Sequence, residues 1–261
     1  MKLLLLGDVV GGKGCDFVRR HLPSLKKMYG VDLTIANGEN SADGNGITPK
    51  SAADLFEAGV DVITTGNHAF RRRECYAEFD SNPYLLRPAN YPDAAPGRGL
   101  CLVDFGYITV AVLNISGVVF LDNLDCPFLT ADRLIAEAKA AGAGLIVCDF
   151  HAEATSEKRA LGFYLDGRLT VLCGTHTHVQ TADIQVLPGG TGYMTDLGMT
   201  GPVQSVLGVK AELAIAKQKD KLPVRFDYAD SDYMLCGALF EVDHKTRQVT
   251  DCRAIHIGEE N

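Results

Sequence analysis

The chain has 261 residues, 46% of them hydrophobic and 22% charged, and carries a formal net charge of −8. That is the composition of a folded globular protein, and it excludes a disordered, collagen-like or low-complexity chain. No apolar run reaches the roughly 18 to 20 residues of a membrane span, and the net acidity argues against a basic groove for long nucleic acid.

Residues 2–6 form the first apolar run, closed by Gly7-Asp8. It is shorter than the hydrophobic region of a secretion signal, so it reads as a buried strand and the protein is expected to be cytoplasmic. Further runs at 31–36, 60–64, 145–148 and 169–173 are aliphatic and β-branched with little alternation, the pattern of strands buried on both faces. Helical periodicity covers 15–28, 49–58 with Thr48 as N-cap, and 130–141. Strand–helix alternation of this kind predicts an α/β fold. Residues 100–115 read as a hairpin turning at Gly106-Tyr107, and 184–187, 234–242 and 248–257 as antiparallel strands. With 91–99 as a loop too short to mark a boundary, the chain is expected to be one domain over 1–261. The eight cysteines include no Cys-x-x-Cys pair, and several fall in apolar runs, as buried reduced thiols do.

Ligands in open α/β sheets collect at the carboxyl ends of the strands. Five of the predicted strands end in Asp8, Glu39-Asn40, Asn67-His68, His151 and His176-Thr177-His178. These are carboxylate, carboxamide and imidazole groups, donors suited to manganese, iron or zinc. Four of the seven histidines lie at these ends, whereas His21, His244 and His256 do not. His176 and His178, read as alternate residues of an extended segment, would point the same way into one site.

In this order the motifs resemble those of the calcineurin-type metallophosphoesterases, and most of all the bacterial YmdB-like branch. They are Gly7-Asp8-Val9-Val10-Gly11, Asn37-Gly38-Glu39-Asn40, Thr65-Gly66-Asn67-His68, Asp149-Phe150-His151-Ala152-Glu153 and Gly174-Thr175-His176-Thr177-His178, with Arg87-Pro88-Ala89-Asn90-Tyr91-Pro92 and residues 194–202 in support. Two departures from the wider superfamily, Val10 where a histidine is usual and Glu39 where the bridging aspartate is usual, are shared by this branch. The resemblance implies a four-layer α/β/β/α sandwich of two mixed β-sheets flanked by helices.

It also implies two divalent metal ions, iron first, with manganese or zinc as alternatives. One would be held by Asp8, Glu39, Asn40 and His178, the other by Glu39, Asn67, His151 and His176, with Glu39 bridging. The two formal carboxylate charges leave two divalent ions with a surplus of two positive charges, which a bridging hydroxide and a phosphodiester monoanion together cancel. The implied activity is hydrolysis of small nucleotide phosphodiesters by that hydroxide, 2′,3′-cyclic nucleotides first and 3′,5′-cyclic ones second. His68, directly after a metal ligand, is assigned as general acid or as a cationic stabiliser of the leaving oxygen. The alternatives are a phosphomonoesterase of the same fold, such as a nucleotidase, or a regulatory binding protein with incidental turnover.

Among other features, Gly11-Gly12-Lys13-Gly14 lacks the Ser or Thr of a phosphate loop and reads as the turn into the first helix. Arg71-Arg72-Arg73 reads as a solvated cluster. Glu153 is expected to orient a ligating histidine, and Tyr193 and Met199 are candidates for a base pocket. The expected partner is a small nucleotide, with no membrane; a homo-oligomer is compatible with the sequence.

Overall fold

The computed structural model describes residues 1–43 and 45–259. In chain order it contains β1 (Lys2–Val9), α1 (Gly11–Tyr29), β2 (Leu33–Asn37), α2 (Pro49–Glu57), β3 (Val62–Thr64), α3 (Tyr76–Ser81), β4 (Leu100–Asp104), β5 (Thr109–Ser116), α4 (Pro127–Ala140), β6 (Leu145–His151), α5 (Thr155–Leu165), β7 (Val171–Thr175), β8 (Gln185–Val186), β9 (Gly192–Met194), β10 (Met199–Pro202), α6 (Ala211–Asp220), β11 (Tyr233–Asp243) and β12 (Gln248–Gly258). Two mixed six-stranded sheets result, in the orders β12-β11-β10-β1-β2-β3 and β4-β5-β6-β7-β9-β8.

The side-chain period of two along a strand sorts these sheets into layers. In β1, Leu3 and Leu5 join Val110, Val112, Val147 and Val171 of the other sheet in one buried cluster, so the two inner faces pack on each other. Leu4 and Leu6 point the other way and meet Phe17, Val18 and Leu22 of α1 and Leu55 of α2. On the second sheet Ala111 and Leu113 turn outwards against Leu134 and Ile135 of α4 and Leu161 of α5. The layers are therefore helix, sheet, sheet, helix, as the resemblance implies. Each fully buried Leu or Val contributes about 1.5 to 3 kcal/mol through burial.

Local signals account for some element ends. Thr48 Oγ1 accepts a hydrogen bond from the Ser51 backbone and Ser51 Oγ accepts one from the Thr48 backbone, a capping box that starts α2 at Pro49. The first helix begins four residues earlier than its apolar periodicity predicts. Its glycine run is helical because Gly11, at φ +65°, turns the chain while its N–H is held by the Asn40 carbonyl. The predicted hairpin is β4 and β5, antiparallel with Asp104 opposite Thr109.

Three helices escape the periodicity, the short α3 among them. In α5 the buried face includes Glu157 and Lys158, and α6 buries only Ala214. The short strands β9 and β10 also go unmarked, being too brief to show a pattern. All eight cysteines are free thiols, six of them buried. Among the described residues no helix is long and apolar enough to cross a membrane.

Candidate functional site

The carboxyl ends of the parallel strands in both sheets converge at one edge of the sandwich. Asp8 lies in β1 just past a register shift after Leu6, Glu39 and Asn40 follow β2, Asn67 and His68 follow β3, His151 ends β6, and His176 and His178 follow β7. All eight predicted side chains come together here. Glu39 Oε1 lies 3.2 Å from His151 Nε2 and 3.3 Å from His68 Nδ1. His151 Nε2 is 3.0 Å from both Asn67 Oδ1 and His176 Nδ1. Asn40 Nδ2 is 3.3 Å from His178 Nε2, which in turn is 3.5 Å from Asp8 Oδ1.

Three observations test whether the set fits a metal. First, Asp8 Oδ1 is buried and accepts no hydrogen bond from the described residues, an expensive state for a carboxylate oxygen unless a cation faces it. Second, Glu39, His151 and His176 each present a donor atom within 4.8 Å of the others. Third, the ring nitrogens have their lone pairs aimed by the groups behind them. The Thr175 hydroxyl donates to Asp149 Oδ1, so its oxygen accepts from His151 Nδ1 at 2.9 Å and leaves His151 Nε2 bare. Likewise His178 Nδ1 donates to the Leu207 carbonyl at 3.0 Å, leaving its Nε2 bare toward Asp8 and Asn40. Such outer partners fix the tautomer of a metal-ligating histidine. The residues fit divalent metal ions.

The electrostatics agree. Burial pulls the His151 imidazole down, but the carboxylates of Glu39, Asp8 and Asp149 more than reverse this and raise it to about 9. Burial pushes Glu39 up, yet His151 and His68 hold it well below the usual carboxylate range. Asp8 is likewise held low against its burial by His178 and His151. The pocket is built for positive charge. Asp149, behind them, is pushed up to about 6 by burial, opposed by His151 and by hydrogen bonds from Thr64, Thr175 and Asn37.

The two histidines after β7 reach the site by a different route from the one their spacing suggests. The segment is not extended: His176 has φ +105° and His178 φ +62°. The turn is held by buried carboxylates, with His176 N–H donating to Asp8 Oδ2 and Thr177 N–H to Asp196 Oδ2, each at 3.0 Å. Asp196 Oδ2 also accepts from Lys158 Nζ at 2.7 Å, and both side chains are buried. Sequence reasoning missed Lys158, because a lysine within a helix looks like a solvated residue. Gly66 enters that reasoning only as part of a motif, yet a Cβ there would lie 2.1 Å from the His151 ring. The motif glycine is the space that the imidazole occupies.

The remaining expectations divide. Glu153 Oε2 does meet a histidine, but it is His176 Nε2, at 2.8 Å, rather than its neighbour His151. Tyr193 and Met199 line no pocket at the site. Tyr193 is fully buried under α5, where Gly162 makes room for its ring and its hydroxyl meets Thr195 Oγ1, and Met199 is buried in β10. Arg71 and Arg73 are exposed, while Arg72 donates to the carbonyls of Asp43 and Asn45.

His68, one-fifth exposed, faces a cavity of about 930 Å³ together with Glu39, Asn40, Glu153, His176 and His178. Asn40 Oδ1 accepts from His68 Nδ1 at 2.9 Å, while Asn40 Nδ2 points at Glu39 Oε1 and His178 Nε2. The two ends of an amide have nearly the same shape. Turned over, Asn40 would offer its oxygen to the donor cluster and its N–H to His68 Nδ1, moving the His68 ring proton to Nε2.

A family model described as YmdB-like protein matches residues 4–255. The chain is 47% identical over 261 residues to the 2′,3′-cyclic-nucleotide 2′-phosphodiesterase of Bacillus subtilis (strain 168), covering 100% of this chain and 98% of that protein. Among solved structures, a hypothetical protein from Thermus thermophilus superposes with a TM-score of 0.93 at 38% identity, covering 100% of both chains. A phosphatase from Mycoplasma pneumoniae gives 0.93 at 34% identity, covering 100% of this chain and 94% of that one. With the ordered strand-end donors and the four-layer sandwich, these matches identify the chain as a member of the YmdB-like family of metallophosphoesterases.

Proposed function

We propose that the chain is a metal-dependent phosphodiesterase, acting as a single domain on small nucleotide phosphodiesters. 2′,3′-Cyclic nucleotides are the preferred substrates and 3′,5′-cyclic ones a secondary class. The observation that carries this reading is the converging donor set at the floor of an open cavity, with a buried Asp8 oxygen left without a hydrogen bond. The name of the Bacillus subtilis relative supports the substrate.

Asp8, Glu39, Asn40 and His178 would hold one divalent ion, and Glu39, Asn67, His151 and His176 the other. Iron is the first choice for both and manganese or zinc an alternative, since mixed oxygen and nitrogen donors suit all three. Bound there, such ions supply Lewis acidity toward water and the phosphoryl oxygens. Hydrolysis forms a bond from phosphorus to the water oxygen and breaks the bond to the ribose O2′, which must gain a proton. His68 stands on the cavity wall to supply it. With Asn40 turned so that its oxygen joins the donor cluster, His68 Nε2 carries the ring proton and can donate toward the leaving oxygen. Asn40 then serves one role only if His68 serves the other.

Purified protein loaded with manganese or iron should release 3′-AMP from 2′,3′-cyclic AMP, and a metal-stripped sample should not. Absence of turnover in protein that holds two metals per chain overturns the diesterase reading. Turnover of a nucleoside monophosphate in its place would favour the monoesterase.

A further inference from the structure

Beyond the donor cluster, most of the cavity lining comes from one strap, residues 203–230, between β10 and β11, whose Leu207 carbonyl also holds His178. Its two arms pair through bridges from Val209 to Val206 and Tyr228, and the Ala229 N–H donates to the Gly208 carbonyl. The α6 helix rides between the arms, half out of the protein, and Ile215, Leu222 and Phe226 remain exposed. Leu222 and Phe226 line the cavity with Lys217 and Lys221, and Lys217 Nζ stands 4.7 Å from the centre of the Phe226 ring.

Charge sets this strap apart. Its middle, residues 210–225, carries Lys210, Lys217, Lys219, Lys221 and Arg225 against Glu212 and Asp220, and with Asp227 and Asp230 beyond it the whole strap is net +1 in a chain of net charge −8. Among the described residues none of the five cations forms an ion pair, although lysines and arginines elsewhere in the chain find partners. A run of uncompensated cations on the rim of a cleft raises the local concentration of anions there, whatever the sign of the whole protein. The volume is compatible with this: ligand pockets run from about 300 to 1,000 Å³, and at about 930 Å³ this one lies near the top of that range.

Resting on the phosphodiesterase reading, we propose that the strap binds a second nucleotide unit, so that the preferred substrate is a short oligonucleotide cleaved at its terminal phosphodiester. Lys217 and Lys221 hold the phosphate next to the scissile one, and the ring of Phe226 stacks the adjoining base. Lysine reads phosphate as a point charge and an aromatic face accepts any base, so recognition here is by length and charge rather than by sequence.

The test compares three substrates with the manganese-loaded full-length protein: 2′,3′-cyclic AMP, a tetraribonucleotide ending in a 2′,3′-cyclic phosphate, and bis(p-nitrophenyl) phosphate. The expected result is a kcat/KM for the tetranucleotide about tenfold or more above that for cyclic AMP, shrinking as salt is raised. The double variant Lys217→Glu/Lys221→Glu should abolish that advantage, and Phe226→Ala should reduce it about fivefold, so that in each the kcat/KM of the tetranucleotide falls relative to that of cyclic AMP and of bis(p-nitrophenyl) phosphate. Lys219→Glu, on the same helix but outside the cavity lining, should retain it. Equal kcat/KM for the tetranucleotide and cyclic AMP overturns the inference and leaves the diesterase reading standing. Loss of the advantage in Lys219→Glu to the same extent also overturns it, because the effect would then be general charge. A dimer that Phe226→Ala dissociates, with unchanged kinetics, would assign the strap to a second copy of the chain and overturn the inference. Failure on all three diesters by protein with both metals loaded overturns the diesterase reading itself.

Discussion

The two walls of the cavity are built on opposite principles. On the donor wall Asp8, Glu39 and His151 are buried, and nearly every polar atom is held by a second polar atom behind it: Thr175 and Asp149 behind His151, Asp196 and Lys158 behind the turn at His176. On the strap, α6 buries one residue and its basic side chains touch no carboxylate among the described residues. A wall that must hold charged donors within a few tenths of an ångström needs overlapping constraints. A wall that meets ligands of varied shape needs reach and charge, and rigidity there would cost adaptability.

Substitutions can break this contrast, and the largest effect is expected at its most constrained point. Glu39→Gln should lose bound metal and activity together, with kcat falling by at least about 1,000-fold; metal content per chain and turnover measured on the same sample decide it. A variant that keeps both removes Glu39 as the shared carboxylate. Lys158→Met should destabilise the fold by about 3 to 5 kcal/mol, since it leaves Asp196 buried without its cation. Urea unfolding would show this, and a midpoint unchanged from wild type would mean that water solvates the pair.

His68→Ala should keep its metals and lose about 100-fold in kcat on a nucleotide substrate. The loss should be much smaller with bis(p-nitrophenyl) phosphate, whose leaving group needs no proton. Shedding of metal by this variant would place His68 among the ligands instead. The smallest effect is expected on the strap. Ile215→Ser, at an exposed position of α6, should move stability by less than about 0.5 kcal/mol and leave metal content untouched. A larger loss would show that the strap is packed against something in solution.

The legible part of this molecule is what a buried parallel sheet imposes on a sequence. Strands covered on both faces read as unbroken apolar runs, so a polar residue at the end of one stands out, and Asp8, Asn67 and His151 are visible for that reason. The supporting layer is not. Lys158 and Asp196 lie 38 residues apart and meet only in the folded chain. Tyr193, beside glycines, looks like a pocket residue, and only the packing shows Gly162 clearing a buried seat for its ring. The α6 helix has no apolar stripe to announce it, because it buries so little. For His176 and His178 the sequence leads to the right place by the wrong geometry. Spacing gives a period only when the backbone is known, and here both residues leave the strand in positive-φ conformations.

That last feature bears on how the protein responds to selection. Residues with a Cβ are strained in such conformations by about 1 to 3 kcal/mol each, and glycine would relieve it at His176 and His178. A library screened for heat resistance alone would therefore gather glycine at these two positions and drift toward robust, inert chains. Holding the imidazoles there requires that every round of selection also ask for catalysis.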